Sequence, residues 1–77
     1  MEEKLKEIRI VRKSIFMSDE ILRGYEGKDV DDYKIPDIGE KIYVKDYFDQ
    51  IWKLKVKDII VLDKGEALEI LCTGHRI

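Results

Sequence analysis

Seventy-seven residues are enough for one domain, 1–77, and dividing them would leave pieces too small to bury a core. Hydrophobic residues at 44% and charged residues at 42% exclude a disordered chain, and a formal net charge of −2 disfavours duplex-DNA binding by bulk charge. The longest apolar run, Ile59-Ile60-Val61-Leu62, is far too short for a membrane span, and the charged start Met1-Glu2-Glu3-Lys4 lacks the apolar stretch of a secretory signal. A cytoplasmic protein with no membrane partner is expected.

Cys72 is the single cysteine, which rules out an internal disulfide, so stability must come from dense packing or from self-association as a dimer or higher homo-oligomer. Twelve Ile, five Val and one Thr against six Leu and one Ala favour a pleated sheet over helices. The absence of Asn, with Gln50 the single Gln and many Lys and Glu, is a bias associated with hot-adapted proteins.

In chain order, residues 4–13 place Ile8 and Ile10 on one face and Glu7 and Arg9 on the other, which predicts a first strand. Ser18-Asp19-Glu20 followed by Ile21-Leu22-Arg23-Gly24 offers a cap, two acids for the helix dipole and a glycine stop, predicting a short helix near residues 18–23. From Tyr25 to Pro36 acids dominate and apolar residues are few, the pattern of a surface connection with at most a short edge strand. Pro36-Asp37-Ile38-Gly39-Glu40 is a turn, and a strand should start at Lys41. The stretch Trp52-Lys53-Leu54-Lys55-Val56-Lys57 alternates strictly, and Asp46–Gln50 before it reads as a hairpin loop with two aromatics at its tip. A bulge near Asp58, a tight turn at Asp63-Lys64-Gly65-Glu66 and a last strand over 67–72 complete a meander. The fold class is mainly β: a small curled antiparallel sheet or barrel of four to five strands with one short helix.

No catalytic, metal or nucleotide signature stands out, so the chain is expected to act without enzymatic activity, metal or cofactor. Cys72 and His75 are three apart, a spacing that offers two metal ligands, but zinc needs about four and no second Cys or His exists; Cys72 is better read as core and His75 as a solvated tail residue. Asp29, Asp31, Asp32, Asp37 and Glu40 form an acidic stretch whose spacing departs from that of calcium loops, and a solvated loop is the simpler reading.

Two surfaces remain as candidates for binding. Tyr47 and Phe48 at the loop tip, with Tyr25 and Tyr33, suit a protein interface; the alternative is that the loop aromatics fold over an open end of the barrel. With Trp52, Leu54 and Val56 hidden, Lys53, Lys55 and Lys57 point outward, and Tyr43 and Lys45 can join them from the neighbouring strand, a basic face of the kind that binds nucleotides or single-stranded nucleic acid. An ordinary solvent-facing strand would look the same.

Pro36-Asp37-Ile38-Gly39-Glu40-Lys41-Ile42 followed by Trp52-Lys53-Leu54-Lys55-Val56-Lys57-Asp58-Ile59-Ile60 resembles a pattern of short phage-type small β-barrel proteins, a Pro-x-x-Gly-Glu turn and then an alternating hairpin. It covers about residues 35–62, with a longer loop here. The resemblance implies a phage or mobile-element accessory protein acting in the host cytoplasm, from a class that includes inhibitors of host enzymes and defence systems; it assigns no functional residue. The favoured expectation is therefore a protein-interaction module or phage-type inhibitor contacting a protein partner through Tyr47 and Phe48. The rival is an oligomeric binder of an anionic ligand, a nucleotide signal or single-stranded nucleic acid, through Tyr43 and the lysines. An enzyme assembled between subunits ranks last.

Overall fold

The computed structural model describes residues 5–14 and 18–77. Five strands, β1 (Glu7–Arg12), β2 (Glu20–Glu26), β3 (Lys41–Lys45), β4 (Ile51–Leu62) and β5 (Ala67–Arg76), form one sheet in the order β2-β1-β5-β4-β3. The sheet curls into a half-barrel, and the single α-helix among the described residues, α1 (Lys28–Asp32), lies between β2 and β3 in sequence. The mainly β expectation holds. The sheet is mixed rather than antiparallel throughout, because β1 lies parallel to β5, Glu7 opposite Ala67 and Arg12 opposite Cys72.

Alternation decides the inner face. Ile8 and Ile10 of β1, Trp52, Leu54 and Val56 of β4, and Leu68, Ile70 and Cys72 of β5 all point into the core, where Val44, Leu22 and Val30 join them. Lys57 is the extra residue of a bulge between Val56, opposite Cys72, and Asp58, opposite Leu71, as the change of parity at that point in the sequence requires. The predicted turns are also present. Glu40 N–H donates to the Asp37 carbonyl at 3.1 Å with Gly39 at φ 93°, and Glu66 N–H donates to the Asp63 carbonyl at 3.2 Å.

The helix near residues 18–23 does not form. Residues 20–23 enter β2, with Ser18 and Asp19 just before it; Ile21 pairs with Val11 and Arg23 with Ile10, and the cap-like Ser18-Asp19-Glu20 is overridden by the ladder that β1 offers. An α-helical turn falls instead at Lys28–Asp32, inside the expected surface connection, held by buried Val30, and a 3-10 turn at Asp63–Gly65 joins β4 to β5. Nor is β5 finished at Cys72. It continues to Arg76, so His75 is a strand residue opposite Lys53 rather than part of a tail. Gly74 permits the extension: a Cβ there would collide with the Lys53 carbonyl oxygen and the Leu54 backbone, and its φ of 154° suits glycine.

Candidate functional site: the lysine face and its rigid loop

The register of β3, β4 and β5 sets the outer face. Lys41 lies opposite Lys55 and Thr73 flanks Lys55 on the other side; Tyr43, Lys53 and His75 form the next row; Lys45 lies opposite Ile51. Lys53, Lys55 and Lys57 are exposed, while Trp52, Leu54 and Val56 are buried, as the alternation demands. Successive outward residues on one strand stand about 6.6 Å apart, so the cations form a spaced grid rather than a cluster. Tyr43 sits within the grid with 65% of its surface exposed.

Lys45 pairs with Asp49 at 3.6 Å. Lys41, Lys53, Lys55 and Lys57 have no carboxylate partner among the described residues. Eight of the seventeen acids fall in residues 19–40, around β2, α1 and the segment that follows, while Asp49 and Asp58 border the lysines. A protein with a net charge of −2 thus keeps one positive face.

The hairpin loop next to this face is held by Asp46. This buried carboxylate accepts the indole N–H of Trp52 at 2.8 Å on one oxygen and the backbone N–H groups of Phe48 and Gln50, at 2.8 and 2.9 Å, on the other. Asp49 adopts a positive φ of 62° to close the turn. Arg12 and Arg76 lie over the Trp52 ring at 5.0 and 5.8 Å, and Arg12 also donates to the Gly74 carbonyl at 2.9 Å. These groups line an open concavity of about 820 Å³ together with Phe48, Gln50 and His75. Its polar groups are largely spent on one another, which makes it structural rather than receptive.

The indole hydrogen bond holds the Asp46 carboxyl below its ordinary value of 3.8, helped by the Gln50 and Phe48 N–H groups and opposed by burial. A carboxyl depressed in the folded state adds stability that is complete above the unfolded pKa and lost as pH falls through the folded one. Asp46→Asn should therefore flatten the loss of stability below pH 3.8. It should also lower the melting midpoint at neutral pH, because the amide must turn a donor toward either the indole or the loop N–H groups. Thermal unfolding followed across pH measures both effects.

The four residues proposed from sequence for a protein interface separate into different roles. Tyr25 and Tyr33 stack on each other, centroids 4.5 Å apart, and pack against the core. Desolvation by burial pushes the Tyr33 hydroxyl up to about 12 and raises that of Tyr25. Tyr47 reaches across to the opposite edge of the sheet: a Cβ on Gly24 would stand 2.9 Å from its hydroxyl, and Arg23 lies 5.6 Å from its ring centroid. It closes the seam between β2 and β3. Tyr47 keeps 62% of its surface exposed despite these contacts, and Phe48 stands furthest out, at 83%.

Cys72 is fully buried, and burial raises its thiol to about 11, the state of an inert core residue. Among the described residues no group of three His, Cys, Asp or Glu side chains could hold a metal ion, and no helix is long and apolar enough to cross a membrane.

Residues that sequence reasoning passed over are Lys41 and His75. Lys41 shares the parity of Tyr43 and Lys45, a signal present in the alternation; His75 was hidden behind Gly74, which reads as the end of a strand. The architecture is that of a curled mixed-sheet half-barrel carrying a cationic outer face. Comparison with family models, curated proteins and solved structures finds no match, so the phage-type resemblance rests on its turn and hairpin residues alone.

Proposed function

We propose that the outer face of β3, β4 and β5 binds single-stranded nucleic acid without catalysis. The observation that carries this reading is the set of four lysines, Lys41, Lys53, Lys55 and Lys57, exposed on adjacent strands with no acid partner among the described residues and with Tyr43 between them. Cations for the backbone and a ring for a base are the two elements that such surfaces combine. An open sheet face suits an extended chain better than a small nucleotide, which asks for an enclosing pocket. Titration of labelled oligonucleotide at several salt concentrations tests it, and binding that is absent or insensitive to salt refutes it.

Phe48 supports a second reading, contact with a protein partner, in keeping with the inhibitor class that the phage-type resemblance implies. A ring exposed on a loop fixed by three hydrogen bonds to Asp46 loses little freedom when it is covered. Phe48→Ala is expected to leave the melting midpoint unchanged and to weaken such a complex by about 2 kcal/mol or more. A protein retained equally by the native chain and the variant in a pull-down argues against this role.

A further inference from the structure

The β4 strand has an unpaired edge. Its partner β3 begins at Lys41, opposite Lys55, and the last backbone contact on that side is the Val56 N–H donating to the Glu40 carbonyl at 2.9 Å, with Gly39 N–H to the Val56 carbonyl at 2.8 Å. From Lys57 to Leu62, β4 is paired only with β5 among the described residues.

The direction of the free groups follows from the ladder. Lys13 N–H donates to the Cys72 carbonyl, so Cys72 turns its backbone toward β1, and Leu71, Glu69 and Ala67 turn theirs toward β4. Their opposites Asp58, Ile60 and Leu62 are then the residues bonded to β5. Ile59 and Val61 face the other way: Val61 presents N–H and C=O to solvent, and Ile59 presents its C=O, while the Ile59 N–H donates to Asp58 Oδ1 at 2.8 Å. Four residues of this edge are apolar, with Ile60 at 37% and Val61 at 63% exposure, and the charges of the edge, Lys57 and Asp58, stand together at its start.

We infer that this edge is the interface for a second copy of the chain, with β4 pairing antiparallel to β4 about a two-fold axis at Ile60. That register aligns the outward groups of Ile59 with those of Val61 in the partner, the Ile59 N–H exchanging the exposed Asp58 carboxylate for the partner's Val61 carbonyl, and it stacks Ile60 against its own equivalent as a close cross-strand pair. It also brings Lys57 of each copy beside Asp63 of the other, opposite charges at both ends of the contact. The bulge at Lys57 and the turn at Asp63 delimit the edge, so it is used up by one partner. The product is one continuous sheet built from two half-barrels.

Light scattering of the full chain over a dilution series, without nucleic acid, tests the pairing. The expected mass is twice the 9.1 kDa of one chain, falling toward a single chain on dilution. Val61→Pro removes an edge N–H that does not serve the β4–β5 ladder, so the variant should keep the native circular dichroism and have the mass of one chain throughout. Lys57→Asp or Asp63→Lys alone should weaken association, and the two together should restore it. The charge variants decide the matter should the proline variant fail to fold. A native chain of single mass at every concentration, a folded Val61→Pro that remains paired, charge variants without effect, or an assembly larger than two overturns the inference. Lys57 belongs to both surfaces, so the masses are measured without oligonucleotide, and Val61→Pro and Asp63→Lys, which leave all four lysines of the binding face in place, separate failure of the pairing from failure of that face.

Discussion

Binding of single-stranded oligonucleotide is expected to weaken by about 50-fold between 50 and 200 mM salt. Each lysine that neutralises a phosphate on a single strand contributes about −0.7 to the slope of log K against log salt, so four unpaired cations give about −3. Lys53→Ala combined with Lys55→Ala should halve that slope to about −1.4. Both side chains are exposed, so the double variant should melt like the native protein. Tyr43 acts by another mechanism: Tyr43→Ala should cost about 1–3 kcal/mol per stacked base and leave the slope unchanged. A lysine variant that weakens binding without changing the slope would assign those residues a structural role instead.

Trp52→Ala is expected to unfold the protein at physiological temperature. Truncating a buried aromatic costs about 3–5 kcal/mol, and a chain of this length has a total stability of roughly 4–12 kcal/mol. The indole is more than volume here. It donates to Asp46, which orders the loop through Phe48 and Gln50, and it carries the guanidinium groups of Arg12 and Arg76 from β1 and β5. Trp52→Phe keeps most of the ring but loses the donor, so a smaller drop in melting midpoint should come with greater mobility at Phe48. Far-UV circular dichroism on heating measures the first effect. Amide exchange at Phe48 and Gln50 measures the second.

Where side-chain alternation is strict, the sequence alone was informative. Trp52 to Lys57 could be assigned face by face because one parity is apolar and the other cationic, and the bulge at Lys57 was legible because Ile59-Ile60-Val61 breaks that parity. The errors came where local preference and tertiary pairing disagree. Ser18-Asp19-Glu20 offers a cap and two acids for a helix start, yet Ile21 and Leu22 contribute more by extending beside β1. Gly24 reads as a helix stop, while its smallness answers to Tyr47, a residue distant in sequence. The parallel pairing of β1 with β5 leaves no local trace, since nothing in Glu7–Arg12 specifies which strand will lie alongside. For the lysine face, composition supplied the charges, but only the register of three strands shows which of them share a surface.

That parallel pairing also governs how the molecule is made. Glu7 meets Ala67 sixty positions later in the chain, and Ile8 and Ile10 at the centre of the sheet find their neighbours only when Leu68 and Ile70 arrive. During synthesis the hairpin of β3 and β4 can form early, whereas β1 must wait, with β2 as its single neighbour, until β5 leaves the ribosome. Contacts this distant place the chain among slow folders, with refolding in milliseconds to seconds rather than microseconds.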